Sequence, residues 1–167
     1  MICRLLIIIA ALCCGGYSAC GSSLLTAERQ EAEYYVRAYA EHYGVPLALV
    51  RAIVQQESGW HRCVISSKGA AGLMQLMPRT AEALGVKNRC NIHENVSGGV
   101  RLLAWLIRRF HGDLRLAVAA YYAPENIVAR RGLLYANPDV IKYVAQVREL
   151  YNHNRNRGLL SSPSRSR

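Results

Sequence analysis

The chain has 167 residues and a formal net charge of +10, which suits one domain with its own core and points to an anionic partner. Charge alone does not choose among nucleic acid, membrane surface and cell-wall polymer, but no nucleic-acid-binding motif is present. The five His are scattered without metal-ligand spacing, and neither a phosphate-cradling glycine loop nor a serine-nucleophile motif occurs, so no metal and no cofactor is expected.

Residues 1–19 differ from the rest. Arg4 is their sole charge, an apolar run follows from Leu5 to Leu12, and Gly15, Gly16, Ser18 and Ala19 are small. This is the layout of a secretory signal, and the run is too short to span a bilayer comfortably. An exported, periplasmic protein is therefore expected. Tyr17-Ser18-Ala19-Cys20 is also a poor version of a lipoprotein cleavage box, which makes Cys20 a lipidation candidate and allows membrane attachment through the N-terminus. Export would leave Cys63 and Cys90 in an oxidising compartment, where they read either as a disulfide or as two buried thiols.

From Thr26 to Tyr43 a helical period runs through Ala32, Tyr35, Val36, Tyr39 and Tyr43, with Thr26 as N-cap and Gly44 as stop. Pro46 opens the next helix, in which Leu47, Val50, Ile53 and Val54 form one stripe. Glu57 falls on that stripe, so a carboxylate is aimed at the apolar side. Burial favours the protonated form of an acid, and a carboxyl kept protonated near neutral pH is what a general acid needs. The bland alternative is a Glu turned to water at the helix end that Gly59 makes. Trp60 could stack on a sugar or serve the core.

Gly69 and Gly72 then bracket a small-residue turn that lets backbone approach a ligand, and Gln75 offers an amide that donates and accepts. Leu73, Met74, Leu76 and Met77 are apolar filler before Pro78. A short helix over Thr80 to Leu84 stops at Gly85. A long one runs from about Glu94 to Phe110, with Val100, Leu103, Ala104 and Ile107 inward and Arg101, Arg108 and Arg109 off the stripe. Asn95-Val96-Ser97 matches the short, frequent pattern of a glycosylation acceptor. Asp113 caps a core helix that ends at Tyr121-Tyr122, and a loop leads to Asn137. There Asn137-Pro138-Asp139 starts a last helix with Val140, Tyr143, Val144, Val147 and Tyr151 on one side. Residues 152–167 read as a disordered basic tail.

Glu57-Ser58 followed by Ser66, Gly69-Ala70, Gly72-Leu73-Met74-Gln75 and Met77-Pro78, together with Ala120-Tyr121 and Tyr143-Val144, resembles the lytic transglycosylases of the lysozyme-like superfamily. The likeness covers most of residues 40 to 150. It implies an all-α, lysozyme-like single domain over residues 26–151, with about six to seven helices and little or no sheet. It also implies non-hydrolytic cleavage of the β-1,4 bond between N-acetylmuramic acid and N-acetylglucosamine in peptidoglycan, giving 1,6-anhydro ends. By the resemblance Glu57 is the catalytic acid and base. Ser66 lies near its carboxyl and Tyr121 brings a hydroxyl to it, while Gln75, Met77 and Asp139 orient it or bind sugar. Partners implied are glycan strands and a secretion or conjugation machine of the envelope, with the protein as a monomer.

The chain departs from the family's usual Ala-Tyr-Asn-Ala-Gly, having Ala120-Tyr121-Tyr122-Ala123-Pro124 instead. Altered subsites or weakened activity are the expected results. Glu125 is a second carboxylate without a spacing argument behind it. Since standard glycosidases use two carboxylates and one is well placed here, a substrate-assisted route is favoured. The rivals are a hydrolytic muramidase of goose-lysozyme type and a wall-binding scaffold protein.

Overall fold

The computed structural model describes residues 17–132 and 137–160, with side chains described over 26–132 and 137–158. Seven helices are seen there: α1 Tyr17–Tyr43, α2 Leu47–Ser58, α3 Pro78–Ala83, α4 Ile92–Arg109, α5 Leu114–Tyr122, α6 Glu125–Arg131 and α7 Pro138–Leu160. Two isolated antiparallel bridges, Ile65 with Ala71 and Ala71 with Leu76, pin a small hairpin-like loop. The all-α expectation with little or no sheet therefore holds among the described residues.

α2 passes through the middle of the molecule, packed against α1 on one side and α7 on the other, while α4 joins α1 to α5. Val50, Ile53 and Val54 are fully buried, as the 3.6-residue stripe requires, and they meet Val36 of α1, Val100 and Leu103 of α4 and Val147 of α7 in one core. Gly59 ends α2 in the left-handed conformation, φ +57, with its N–H on the Gln55 carbonyl. Asn91 and Asp113 cap α4 and α5 by accepting from the backbone N–H of Glu94 and of Arg115 and Leu116, respectively.

Three boundaries differ from the expected ones. α1 begins at Tyr17, so Thr26 lies inside the helix rather than at its cap; no Gly or Pro between them interrupts it after Cys20-Gly21. α6 occupies the stretch expected to be a loop, with Glu125 in its first turn and Arg130 and Arg131 in its last, both favourable to the helix dipole. α7 runs to Leu160, through the first nine residues of the expected disordered tail. Its last turns are not free: Asn154 Nδ2 donates to the Ala48 carbonyl at 3.2 Å. The expected signal lies mostly outside the described residues, as do the Cys20 side chain and residues 161–167. No helix among the described residues is long and apolar enough to cross a membrane.

Candidate active site

The loop between α2 and α3 is fastened at four points, none of them visible as a local pattern. Asn95, fully buried on α4, accepts from the Met74 N–H at 2.7 Å and donates to the carbonyls of Ala71 at 3.0 Å and Arg89 at 2.8 Å. A glycosylation acceptor is thereby excluded: this amide spends both protons inside the protein. Arg89 Nη1 donates to the carbonyls of Gly69 (2.6 Å) and Leu76 (3.0 Å). Gln75 Nε2 donates to those of Val64 (2.8 Å) and Gly72 (2.9 Å). The Tyr121 hydroxyl donates to that of Met74 at 2.8 Å. Gly72 has φ +85, and a Cβ there would stand 2.1 Å from the Arg89 carbonyl oxygen, so only glycine fits. The Cys63–Cys90 disulfide, with Cα atoms 4.8 Å apart and the two cysteines 27 positions apart in sequence, ties the start of this loop to the approach to α4. Closing a ring of that size contributes roughly 3 to 4 kcal/mol on the chain-entropy account.

Beside this loop, Glu57 at the end of α2 is half-buried, and Tyr143 of α7 donates its hydroxyl proton to Glu57 Oε1 at 2.5 Å. Burial raises the Glu57 pKa from 4.5 to about 7, and the Tyr143 bond, which favours the carboxylate, offsets part of that rise. Among the described residues no neighbouring charge contributes to the shift. Of the other candidate carboxylates, Glu125 is paired with Arg109 at 2.9 Å and Asp139 is exposed on α7. The Tyr121 and Tyr143 phenols are themselves pushed well above their usual value, first by burial and then by the nearby Glu57 charge.

The structure thus brings Glu57, Tyr121 and Tyr143 together. Tyr121 lies near enough to feel the Glu57 charge but gives its proton to the Met74 carbonyl of the loop, and Tyr143 makes the direct contact with the carboxyl. Tyr143 stood in view on the α7 stripe and in the matched Tyr143-Val144; what the sequence could not show is the bond to a residue 86 positions earlier. Tyr122, the departure from the family pattern, stacks on Tyr143 with ring centroids 4.6 Å apart and planes at 24°, its own side chain still 46% exposed. Pro124 opens α6 with φ −55, a conformation proline is built for. Ser66 makes a loop cap, its hydroxyl accepting from the Ala70 N–H at 3.0 Å. Gln75 holds the loop and keeps only its amide oxygen for a ligand. Met77 is exposed at the end of the loop, and Asp139 is exposed one turn before Tyr143 on α7. Trp60 is buried, 8% exposed, and its ring is covered by Arg29 rather than open to a sugar.

The Transglycosylase SLT domain matches residues 34–144, about two thirds of the chain and all of the site just described. The chain belongs to this family. A transglycosylase of Enterobacteria phage PRD1 is 40% identical over 91 residues, 54% of this chain and 34% of that protein. The membrane-bound lytic murein transglycosylase F of Pseudomonas fluorescens is 33% identical over 120 residues, 64% of this chain and 24% of that protein. In three dimensions the chain is similar to the lytic transglycosylase Slt of Pseudomonas aeruginosa, with TM-score 0.66 and 23% identity over 78% of this chain and 25% of that one. The 70 kDa soluble lytic transglycosylase of Escherichia coli gives TM-score 0.64 over 73% of this chain and 24% of that one. These last two likenesses establish the fold, and the SLT chain spans 24 to 34% of each relative named here. Among the described residues no cluster of His, Cys, Asp and Glu could hold a metal ion.

Proposed function

We propose that this SLT domain is a peptidoglycan lytic transglycosylase acting outside the cytoplasm. The observation that carries the reading is a single carboxyl, Glu57, with its pKa lifted to about 7 by burial and no second carboxylate contributing to its state. At neutral pH a large fraction of Glu57 is protonated and can give its proton to the glycosidic oxygen as the C1–O bond breaks. The resulting carboxylate then takes the proton of the muramyl 6-hydroxyl while that oxygen bonds to C1. The bond made replaces the bond broken, the proton returns to Glu57, and the muramyl end closes as a 1,6-anhydro ring. Water is not consumed. A hydrolytic muramidase would need a base to activate water, and no second carboxylate among the described residues contributes to the state of Glu57.

Tyr143 holds the carboxyl in one rotamer and supports the charged state after the first proton transfer. Tyr122, stacked on Tyr143, positions that phenol from the solvent side; the change from the family's usual Asn thus supplies an aromatic brace. Ser66, Gln75, Met77 and Asp139 border the groove in which sugars would lie. Export, attachment through Cys20 and service to an envelope machine belong to the same proposal, supported by the N-terminal signal pattern and by relatives named as membrane-bound.

The test is digestion of purified peptidoglycan with mass analysis of the muropeptides. Wild-type protein is expected to give anhydro ends, lighter by one water than hydrolysed ends, and Glu57→Gln is expected to give none. Hydrated reducing ends would move the protein to the muramidase class. Binding without products from either form would make it a scaffold.

A further inference from the structure

A cleft of about 780 Å3 lies between α1, α2 and the last turns of α7. Gln55 lines it and Glu57 does not. Two residues apart on a helix, these side chains point about 200° from one another, so the cleft and the Glu57 carboxyl lie on opposite sides of α2.

The cleft holds more positive charge than the fold can use. Arg29, Glu33 and Arg37 stand at successive turns of α1, facing Arg51 of α2, and Arg157 adds a fourth guanidinium from α7. Among the described residues Glu33 is the sole carboxylate in the lining. Its Oε1 accepts from Arg51 Nε at 2.7 Å and from Arg51 Nη2, and lies 3.8 Å from Arg37 Nη2. One carboxylate is thus divided between two arginines. Arg29 instead rests with its guanidinium carbon 3.7 Å from the centre of the Trp60 ring, a cation–π contact. Desolvation holds its pKa below the usual arginine value, the Arg51 charge adding to that and Glu33 opposing it.

Trp60, which forms this floor, is itself held at φ +71, a backbone conformation costly for a bulky residue. Its N–H donates to Ser58 Oγ at 3.1 Å, and Ser58 Oγ donates to the Val54 carbonyl at 3.1 Å. The ring that carries Arg29 is therefore fixed by the same turn that ends α2 at the catalytic glutamate.

We infer that this cleft binds a carboxylate-bearing peptide, whose negative charge meets Arg29 and Arg157. Its volume falls in the range of sites that hold several ligand groups and far exceeds what one inorganic anion fills. Gln30, Gln55 and Asn154 bring amide groups suited to peptide backbone, and Trp60 adds apolar surface. Guanidinium pairs with carboxylate in bidentate geometry. Resting on the wall-cleaving reading, the peptide is the one carried by peptidoglycan itself. Because the cleft and the Glu57 carboxyl are on opposite sides of α2, it comes from a strand other than the one being cut, and the site holds the enzyme to the mesh.

The experiment is calorimetric titration of the purified chain with a synthetic wall peptide bearing free carboxylates, beside the same peptide amidated and beside inorganic phosphate and polyphosphate. The free-carboxylate peptide is expected to bind and the amidated one to bind about tenfold or more weakly, a charge-assisted hydrogen bond being worth about that much. Arg29→Gln and Arg157→Gln are each expected to lose about tenfold in affinity with melting temperature nearly unchanged; if Arg29→Gln unfolds, Arg157→Gln decides. Glu57→Gln should bind as the wild type does, so the result is independent of whether the chain cleaves glycan. Absence of peptide binding, equal binding of the amidated peptide, competition by phosphate or polyphosphate at lower concentration, or full affinity in the folded arginine variants would each overturn the proposal.

Discussion

Asn95 and Glu57 are polar side chains on buried helix faces about 40 residues apart in the chain, and they are treated in opposite ways. Asn95 is neutral, wholly enclosed and matched to three backbone partners. Glu57 is ionisable, partly enclosed and given one partner, with its charged form disfavoured by burial. The first arrangement makes the loop rigid; the second keeps a proton available. Stability is concentrated in the scaffold around the reacting group, and the reacting group itself is left under strain, as expected where function and stability compete.

Breaking the scaffold side of this comparison should have the largest effect. Asn95→Ala strands the Met74 N–H and the Ala71 and Arg89 carbonyls, and it is expected to destabilise the fold by about 3 to 5 kcal/mol in denaturant unfolding. A loss below about 1 kcal/mol would mean that the loop is not held as described.

Glu57→Gln should do the reverse. The Glu57 pKa is higher folded than unfolded, so between about 4.5 and 7 the folded state binds more protons, and stability falls as pH rises through that window. Replacing the acid by its neutral isostere removes a cost of up to about 3 kcal/mol at pH 8. The gain should shrink as pH falls and vanish below about pH 4.5. Urea melts of both proteins at pH 4 and pH 8 test this, and an equal difference at the two pH values would contradict it.

Removing the partner of Glu57 sharpens the contrast further. Tyr143→Phe deletes a hydrogen bond that lowers the Glu57 pKa, so the alkaline limb of the activity profile should move to higher pH while the rate drops. The smallest effect is expected at Tyr122, where Tyr122→Phe keeps the stack on Tyr143 and near-normal turnover. Tyr122→Asn loses an aromatic pair worth about 0.5 to 1.5 kcal/mol, or about three- to tenfold in rate. Equal activity of the two variants would show that the stack does not position Tyr143.

The helices that carry strong periodicity were legible in the sequence: α2, α4 and α5 lie close to where their stripes and caps put them, and Glu57 faces inward as its position on the α2 stripe requires. α6 was missed because seven residues give too short a pattern, although Pro124, Glu125 and the following arginines form a start signal in retrospect. The end of α7 was misjudged because its polar composition, Asn152 to Gly158, reads as tail when the surface of α2 it packs against is unknown. The same lack of distant partners hid Asn95, whose bonds span 6 to 24 residues, and the bond from Tyr143 to Glu57. Ser66 and Gln75 were placed in the right loop, but their work there is chiefly to hold it.

The central claim is that burial keeps one carboxyl protonated at neutral pH. Carbon-13 NMR titration of the Glu57 side-chain carboxyl, assigned by its loss in Glu57→Gln, measures this directly. A midpoint near pH 7 that rises further in Tyr143→Phe is the predicted result. A midpoint near 4.5, the value of a carboxyl in open water, would contradict the account.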